Sequence, residues 1–169
     1  MSTKTPSQSK ATLTEIVLPN DTNNLNNLMG GRLLHWMDIA AAITAHRHCN
    51  RTCVTASVNN VSFENPIPKG SIVTLEANIS RAFYSSMEIF IDVWIEDNLS
   101  GSKTKCNEAI YTFVAVDNMG KPAKVPSVNP ESELEKKRYD GALRRRQLSL
   151  ILAGKLKANE ASELKALFN

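Results

Sequence analysis

The chain has few of the features that mark secreted or membrane proteins. Its 169 residues include three cysteines, Cys49, Cys53 and Cys106, an odd number without the tight framework of a disulfide-stapled domain. Residues 1–10 are polar and lack the apolar core of a signal peptide. No apolar run approaches the length of about 20 residues that a membrane span requires. These absences predict a cytoplasmic protein with no membrane span.

Several common functional motifs are also missing. The chain has no Gly-x-Ser-x-Gly elbow of a serine esterase, no glycine-rich phosphate loop and no dinucleotide fingerprint. Its aromatic residues do not cluster with basic ones, so we expect no nucleic-acid partner. A zinc site at His46, His48, Cys49 and Cys53 is disfavoured, because residues two apart point to different sides of a helix. We therefore expect no metal and no cofactor.

Charge gives little guidance about partners, since the formal net charge is only +3. Most of the basic excess lies late in the chain, in Lys136–Arg138 and Arg144–Arg146. The favoured interpretation is a solvated helix face, and the alternative is a site for phosphate groups.

Hydrophobic periodicity predicts an α+β domain. A short strand at 11–18 precedes a buried helix from Gly30 to about His48, and alternating apolar residues then mark four strands between 54 and 116. The Asn59-Asn60 pair is expected to form a bulge in the first of these four strands. An antiparallel sheet wrapped around the long helix would bury the apolar faces of both. We predict a flexible arm at 1–10, this domain at 11–130, and a helical extension at 131–169.

The loop that leads into the long helix is the most informative segment. Polar residues from Asn20 run to Gly30-Gly31, where unpaired amides at a helix start would suit an oxyanion. Asp38 follows among apolar residues, where a carboxylate either finds partners or carries chemistry. Spacing alone leaves both possibilities open for Asp38. It also favours a turn or helix cap as the role of Asn27.

These segments together resemble the hotdog-fold acyl-CoA thioesterases, in particular the cytosolic long-chain type of the acyl-CoA hydrolase family. The resemblance covers about residues 12–146. The segments that carry it are Leu18–Asn23, Gly30–Gly31, Met37–Asp38, Ala45–Cys49, Val54–Val58, Phe63, Lys69–Gly70, Ser85–Ile89, Phe113–Val116 and Pro126–Glu131.

The resemblance implies a hotdog fold that hydrolyses acyl-CoA to free fatty acid and coenzyme A. Coenzyme A is then part of the substrate and product, not a resident cofactor. It implies a homodimer as the active unit, with Asp38 of one subunit acting beside Asn27 of the other. It further implies that dimers associate into a hexamer, as a trimer of dimers.

Thioester hydrolysis requires an activated nucleophile and a donor site for the developing oxyanion. Asp38 could deprotonate a water or attack directly through an anhydride, and the sequence does not choose between these mechanisms. The amides near Gly30 and Gly31 would stabilise the oxyanion, and the Asn27 amide would hold the water or the carbonyl oxygen. The acyl chain would run beside the helix, along Leu33, Trp36 and Met37.

The phosphates of coenzyme A need cations or amides. Candidates are Lys69, Arg81, Ser85 and Ser86, and the resemblance places the segment from Arg81 to Ser86 near the nucleotide. An ordinary exposed polar residue is an equal alternative for each of them. Arg144–Arg146 could contribute from a neighbouring subunit.

Two other functions remain open at this point. A hotdog hydratase acting on enoyl thioesters would pair a histidine with the aspartate, and His35 is the nearby candidate. A non-catalytic acyl-CoA-binding protein would keep the groove without turnover.

Overall fold

The computed structural model describes residues 3–59, 61, 63 and 65–168. Its strands and helices follow the predicted order. They are β1 (Ala11–Ile16), α1 (Gly30–Cys49), β2 (Thr52–Asn59), β3 (Ile72–Ala82), β4 (Ser86–Glu96), β5 (Lys103–Val116), α2 (Glu133–Leu152) and α3 (Ser162–Lys165), with 3-10 turns at Pro6–Gln8, Pro19–Asp21 and Ala158–Glu160.

The sheet has five strands in the order β1-β3-β4-β5-β2, and every neighbouring pair is antiparallel. The central strands are the longest and most buried, whereas nearly every residue of the edge strand β2 is exposed. The sheet curls around α1, and the helix contacts each of the five strands. This confirms the predicted α+β architecture of a sheet wrapped around a long helix.

The buried face of α1 follows the helical period. Leu33, Met37, Ala40, Ala41 and Ala45 are all buried against the sheet. Small alanines let the helix approach the strands closely, while the larger side chains fill the remaining space. Each fully buried side chain of Leu or Met size contributes about 1.5–3 kcal/mol relative to an exposed one.

A second helix covers the outer face of the sheet. α2 begins at the N-cap Ser132, whose side chain accepts a hydrogen bond from the Glu135 amide. Two of its arginines, Arg138 and Arg145, form ion pairs with carboxylates of β4. The interpretation of the basic tail as a solvated face is therefore wrong for these two residues, because their guanidinium groups hold α2 on the sheet.

Three local expectations differ from the structure. Residues 3–10 do not extend as a flexible arm, because the Lys4 amide bonds to the Ser127 carbonyl and Ser9 is buried. The irregularity of β2 lies between Thr55 and Ser57, where its register against β5 shifts, whereas Asn60 lies outside the described residues. The extension predicted at 131–169 is not helical throughout, because after α2 it forms only a 3-10 turn and the single turn of α3.

Neither of the long helices, nor any other helix in the described part of the chain, is long and apolar enough to cross a membrane.

Candidate active site

The loop between β1 and α1 is anchored by Asp21, a buried carboxylate. Its Oδ2 accepts a hydrogen bond from the Leu18 amide, and its Oδ1 accepts one from Nε of Arg32 in the first turn of α1. The Arg32 hydrogen bond is the main cause of a lowered pKa of Asp21. The Met29 amide also donates to the Asp21 carbonyl, so one residue ties the loop to the helix start. No pattern in the sequence predicts this role of Asp21.

Asn23 organises the tip of this loop. Its Oδ1 accepts hydrogen bonds from the amides of Leu25 at 2.9 Å and Asn27 at 3.2 Å. The backbone amide of Asn23 donates to the Asn27 carbonyl at 2.8 Å, and Asn26 takes the left-handed conformation with φ of 58°. This is an Asx-type turn, in which a side-chain oxygen replaces a backbone acceptor. The arrangement leaves the Asn23 side-chain NH₂ as the group that can donate to a ligand.

A hollow of about 360 Å³, which we call the asparagine-loop cavity, lies between this loop and the chain near Phe63. The Phe63 ring lies so near Gly30 that a Cβ on that glycine would be 3.2 Å from it. A side chain at Gly30 would therefore push the ring away. The cavity is lined by Asn23, Asn27, Leu28, Gly30, Leu33, Phe63, Asn65, Pro66, Ile67 and Asn107.

Asp38 is half-buried and lies in a second hollow of about 500 Å³, the Asp38 cavity. The Thr55 hydroxyl of β2 donates to Asp38 Oδ1 at 2.8 Å. Burial, followed by the nearby charge of Asp38, raises the pKa of Tyr111 to about 12. Tyr111 therefore stays protonated and donates to the Leu34 carbonyl at 3.1 Å. The cavity is lined by Gly31, Leu34, His35, Asp38, Val58, Val61 and Tyr111.

Thr55 is a site residue that sequence reasoning missed. It lies within the Val54–Val58 segment that carries the family resemblance, but its pairing with Asp38 joins two elements that are 17 residues apart. A threonine in an exposed strand gives no signal of such a contact in the sequence.

The two cavities are distinct within one chain. Asn27 and Gly30 line the asparagine-loop cavity, whereas Gly31 and Asp38 line the Asp38 cavity. The first residues of α1 thus lie between them, one glycine facing each hollow. Asn27 and Asp38, which the family resemblance places together from opposite subunits, do not line a common cavity of this chain.

The predicted coenzyme A residues fall into two groups. Lys69 is exposed, and its amide donates to the Asn26 carbonyl of the asparagine loop at 2.9 Å. Arg81, at the other end of the sheet, donates to the Tyr139 carbonyl at 3.1 Å and stacks on that ring at 4.1 Å. Ser86 accepts a hydrogen bond from Arg146 at 2.8 Å.

Ser85 stands beside Ser86 and lines neither cavity; its carbonyl accepts from the Ala115 amide at 2.8 Å. Arg81 and Ser86 therefore lie against α2, whereas Ser85 contacts β5. Of the predicted acyl-chain residues, Leu33 lines the asparagine-loop cavity. All three, including Trp36 and Met37, belong to the buried core, because their positions on α1 face the sheet.

The family model of the thioesterase superfamily matches residues 25–102. The chain is 42% identical to an uncharacterized acyl-CoA thioester hydrolase of Bacillus subtilis, over 82% of this chain and 80% of that protein. It is similar to a crystal structure of an apo hexameric acyl-CoA thioesterase, with a TM-score of 0.87 and 36% identity over 90% of this chain and 98% of the other.

A third match is the acyl-CoA hydrolase of Staphylococcus aureus, solved in complex with butyryl coenzyme A, coenzyme A and coenzyme A disulfide. The TM-score is 0.85 and the identity 38%, over 90% of this chain and 95% of that one. Further structures of the same enzyme carry an aspartate, an asparagine or a threonine changed to alanine. The chain therefore belongs to the acyl-CoA hydrolase family of the hotdog-fold thioesterase superfamily.

Proposed function

We propose that the protein hydrolyses acyl-CoA thioesters to a free fatty acid and coenzyme A, with Asp38 preparing the attack. The observation that carries this proposal is a half-buried carboxylate, oriented by a threonine hydroxyl, in an open cavity at the first turns of a helix. Such a carboxylate is held in place without being sealed from substrate.

The Thr55 hydroxyl occupies Oδ1 of Asp38 and so fixes the plane of the carboxylate. Oδ2 can then accept a hydrogen bond from a water and remove its proton as the water attacks the thioester carbon. Direct attack by Asp38 through an anhydride is the competing mechanism. Single turnover in ¹⁸O-labelled water separates them, because only the anhydride path places an ¹⁶O atom of Asp38 in the first product.

The oxyanion would be stabilised at the start of α1. The amides of Arg32 and Leu33 both donate to the Met29 carbonyl, so the amides available at the helix start are those of Gly30 and Gly31. The helix dipole adds a partial positive charge at the same end. No heavy atom lies within 4 Å of the position that a Cβ on Gly31 would occupy, so a thioester can approach this backbone closely.

The asparagine of the site is Asn23 in our proposal, not Asn27. The three residues altered in the Staphylococcus aureus enzyme are spaced along their chain as Asn23, Asp38 and Thr55 are spaced along this one. The Asx-type turn supports the same choice, because it directs the NH₂ group of Asn23 away from the loop backbone.

The active unit is a homodimer in our proposal. Asn23 and Asp38 line different cavities of one chain, so a second copy is needed to bring an asparagine loop to an Asp38 cavity. β2 is an edge strand with exposed Val54 and Val58, a surface that a second copy can cover. Association of dimers into a hexamer and a cytoplasmic location remain predictions, as does the phosphate-binding role of Lys69, Arg81, Ser85 and Ser86.

The first experiment measures hydrolysis of a panel of acyl-CoA thioesters by the wild-type chain and by Asp38→Ala and Asp38→Asn. We expect kcat to fall by about 10²- to 10⁴-fold in both variants. Unchanged circular dichroism and unchanged elution volume serve as controls for folding and assembly. Tight binding without hydrolysis would instead identify a binding protein. Water addition to an enoyl thioester would identify a hydratase, which the presence of His35 in the same cavity makes worth testing.

The second experiment distinguishes the two asparagines. Asn23→Asp keeps the oxygen that accepts from the Leu25 and Asn27 amides but removes the NH₂ donor, and we expect it to lower kcat about a hundredfold. Asn27→Ala is the matched control and should leave kcat within about twofold. The reverse result would restore the role to Asn27.

The third experiment tests the shared site. Chains carrying Asp38→Ala and Asn23→Asp are unfolded, mixed in equal amounts and refolded together. An isologous dimer with two equal sites should then recover about a quarter of wild-type activity, because half of the dimers contain one intact pair. Recovery of no activity would contradict a site built from two subunits.

A further inference from the structure

Two cysteines meet where α1 ends and β2 begins. Cys49 is the last residue of α1, and Cys53 is the second residue of β2. Their Sγ atoms lie 3.0 Å apart, and both approach the carbonyl oxygen of Arg51, at 3.6 and 3.5 Å. A disulfide bond is about 2.05 Å long, so the two sulfurs need to close by only about 1 Å.

The pair is connected to the proposed site through β2. Side chains two apart in a strand lie on the same face, so Cys53 and Thr55 both face α1. Thr55 holds Asp38 through the 2.8 Å hydrogen bond, and Cys53 contacts Cys49 on the same helix. A change at the cysteine pair therefore acts on the strand segment that positions the carboxylate.

The chemistry of the pair favours an ionised sulfur. A hydrogen bond from Cys53, followed by smaller contributions that include the charge of His46, lowers the pKa of Cys49 to about 6, although burial opposes this shift. The same shared proton, together with burial, raises the pKa of Cys53. Burial also raises the pKa of Cys106, whose thiol donates to the Val93 carbonyl at 3.4 Å. Thiolates react and thiols do not, so the pair is more reactive than Cys106.

We propose that Cys49 and Cys53 form a redox-sensitive dithiol, which a small-molecule disulfide converts reversibly into a protein disulfide that slows thioester hydrolysis. Half-exposed Cys53 is the point of entry, since Cys49 is buried. An open hollow lined by His46, Asn50 and Arg51 lies at the same junction.

The reaction balances with oxidised glutathione as the oxidant. The proton shared by the two sulfurs moves to Cys49, and the Cys53 thiolate attacks one sulfur of glutathione disulfide, which releases a first glutathione thiolate. Cys49 gives its proton to that thiolate and attacks the Cys53 sulfur of the mixed disulfide, which releases a second thiolate. Two protein thiols are oxidised to one disulfide, and one glutathione disulfide is reduced to two thiols.

The effect on hydrolysis rests on the proposed function. Closing the sulfur pair by about 1 Å draws the start of β2 toward the end of α1, and Thr55 moves with it. Misplacement of about 1 Å at a catalytic group can cost up to a hundredfold in rate. Because Thr55 acts through Asp38, which prepares the attack in the proposed function, we expect kcat to fall at least fivefold while KM stays unchanged.

The first test uses mass spectrometry of the full chain. The protein is incubated with oxidised glutathione, remaining thiols are alkylated, and the peptides are mapped before and after dithiothreitol. We expect a Cys49–Cys53 link with Cys106 alkylated, and full reversal on reduction. Alkylation of both Cys49 and Cys53 after oxidation, or a stable glutathione adduct on Cys53, would overturn the proposal.

The second test compares the rates at which reduced and oxidised protein hydrolyse an acyl-CoA thioester. The loss of thioester is followed by chromatography, because a thiol-reactive dye would itself oxidise the cysteine pair. Cys53→Ser should keep the basal rate and lose the response, whereas Cys106→Ala should keep both. Equal rates of reduced and oxidised wild type would overturn the switch. Amide hydrogen exchange of residues 50–55 should slow at least twofold on oxidation. If the reduced protein hydrolyses nothing, the proposed function fails, while unchanged exchange would separately overturn the link to β2.

Discussion

The two long helices cover opposite faces of one sheet and hold to it by different physical means. α1 packs on the inner face through apolar side chains such as Met37 and Ala41, which are fully buried. α2 packs on the outer face, where β4 presents two buried carboxylates, Glu88 and Asp92. Apolar packing is insensitive to direction, whereas ion pairs demand a particular geometry.

The outer face shows that geometry in detail. Arg145 binds Glu88 through two hydrogen bonds of 3.0 and 2.7 Å. Arg138 reaches both oxygens of Asp92 at 2.8 Å and stacks on the Phe90 ring at 3.9 Å. Buried ion pairs contribute little net stability but cost much when one partner is removed. The position of α2 is therefore specified by polar contacts, while α1 supplies the core and carries Asp38.

The largest expected effect lies on the inner face. Met37→Ala removes a fully buried side chain and leaves a cavity, so we expect a loss of about 2–5 kcal/mol in the free energy of unfolding. Ile39→Ala is the matched control on the same helix, because Ile39 is 38% exposed. Ile39→Ala should lower the free energy of unfolding much less than Met37→Ala does. Urea denaturation measures both, and equal losses would mean that the inner face does not form the dominant core.

The next effect concerns the outer face. Arg145→Met leaves the buried Glu88 carboxylate without its partner, and we expect a loss of about 3 kcal/mol. Adding Glu88→Leu removes the unpaired charge and should recover most of that loss. Urea denaturation of both single variants and the double variant gives the coupling free energy. A double variant as unstable as Arg145→Met would show that the pair contributes real attraction.

The difference between the faces also explains what the sequence could predict. Apolar period is visible in the sequence, so α1, the strands and the wrapped sheet were all predicted. Asp38 stood out because a carboxylate lies among apolar residues of α1. The pairs of Arg138 and Arg145 with β4 join residues 46 and 57 positions apart. No local pattern marks such a pairing, and a solvated face was the natural interpretation.

The sequence also predicts the residues of the candidate site only in part. Gly31 and Asp38, two of the predicted catalytic residues, line one cavity, and their catalytic roles stay predictions. Thr55 was not predicted, because its contact with Asp38 depends on how β2 packs against α1. The choice between Asn23 and Asn27 depends on which side chain folds back on the loop backbone, and five asparagines in one short loop look alike in a sequence.

The two glycines at the start of α1 provide a test in which packing and function separate. Gly31→Ala meets no atom within 4 Å and should raise stability by up to about 1 kcal/mol, since alanine is the better helix former. The same methyl group points into the space proposed for the thioester, so we expect kcat/KM to fall about tenfold. Gly30→Ala must displace the Phe63 ring and should instead show no gain in melting temperature.

The smallest effect concerns the C-terminal end of α1. His48 is fully buried, and its Nε2 lies 3.0 Å from the Pro126 carbonyl, which fixes Nε2 as the protonated nitrogen. Burial is the main cause of a lowered pKa, the charge of Lys4 acts in the same direction, and the Pro126 bond opposes them. Below pH 6.5, the ordinary pKa of histidine, His48 therefore binds a proton more readily in the unfolded chain than in the folded chain.

The stability that His48 contributes is complete above pH 6.5 and is lost as the pH falls from that value through its lower folded-state pKa. The lowered pKa of Asp21 acts below its ordinary value of 3.8, so Asp21 does not contribute to changes in stability between pH 7.5 and 5.5. Urea midpoints measured from pH 7.5 to 5.5 should fall for the wild type, and less steeply for His48→Gln. Parallel slopes for the two proteins would mean that His48 accepts its proton in the folded state, and that the end of α1 is open to water in a way its buried inner face is not.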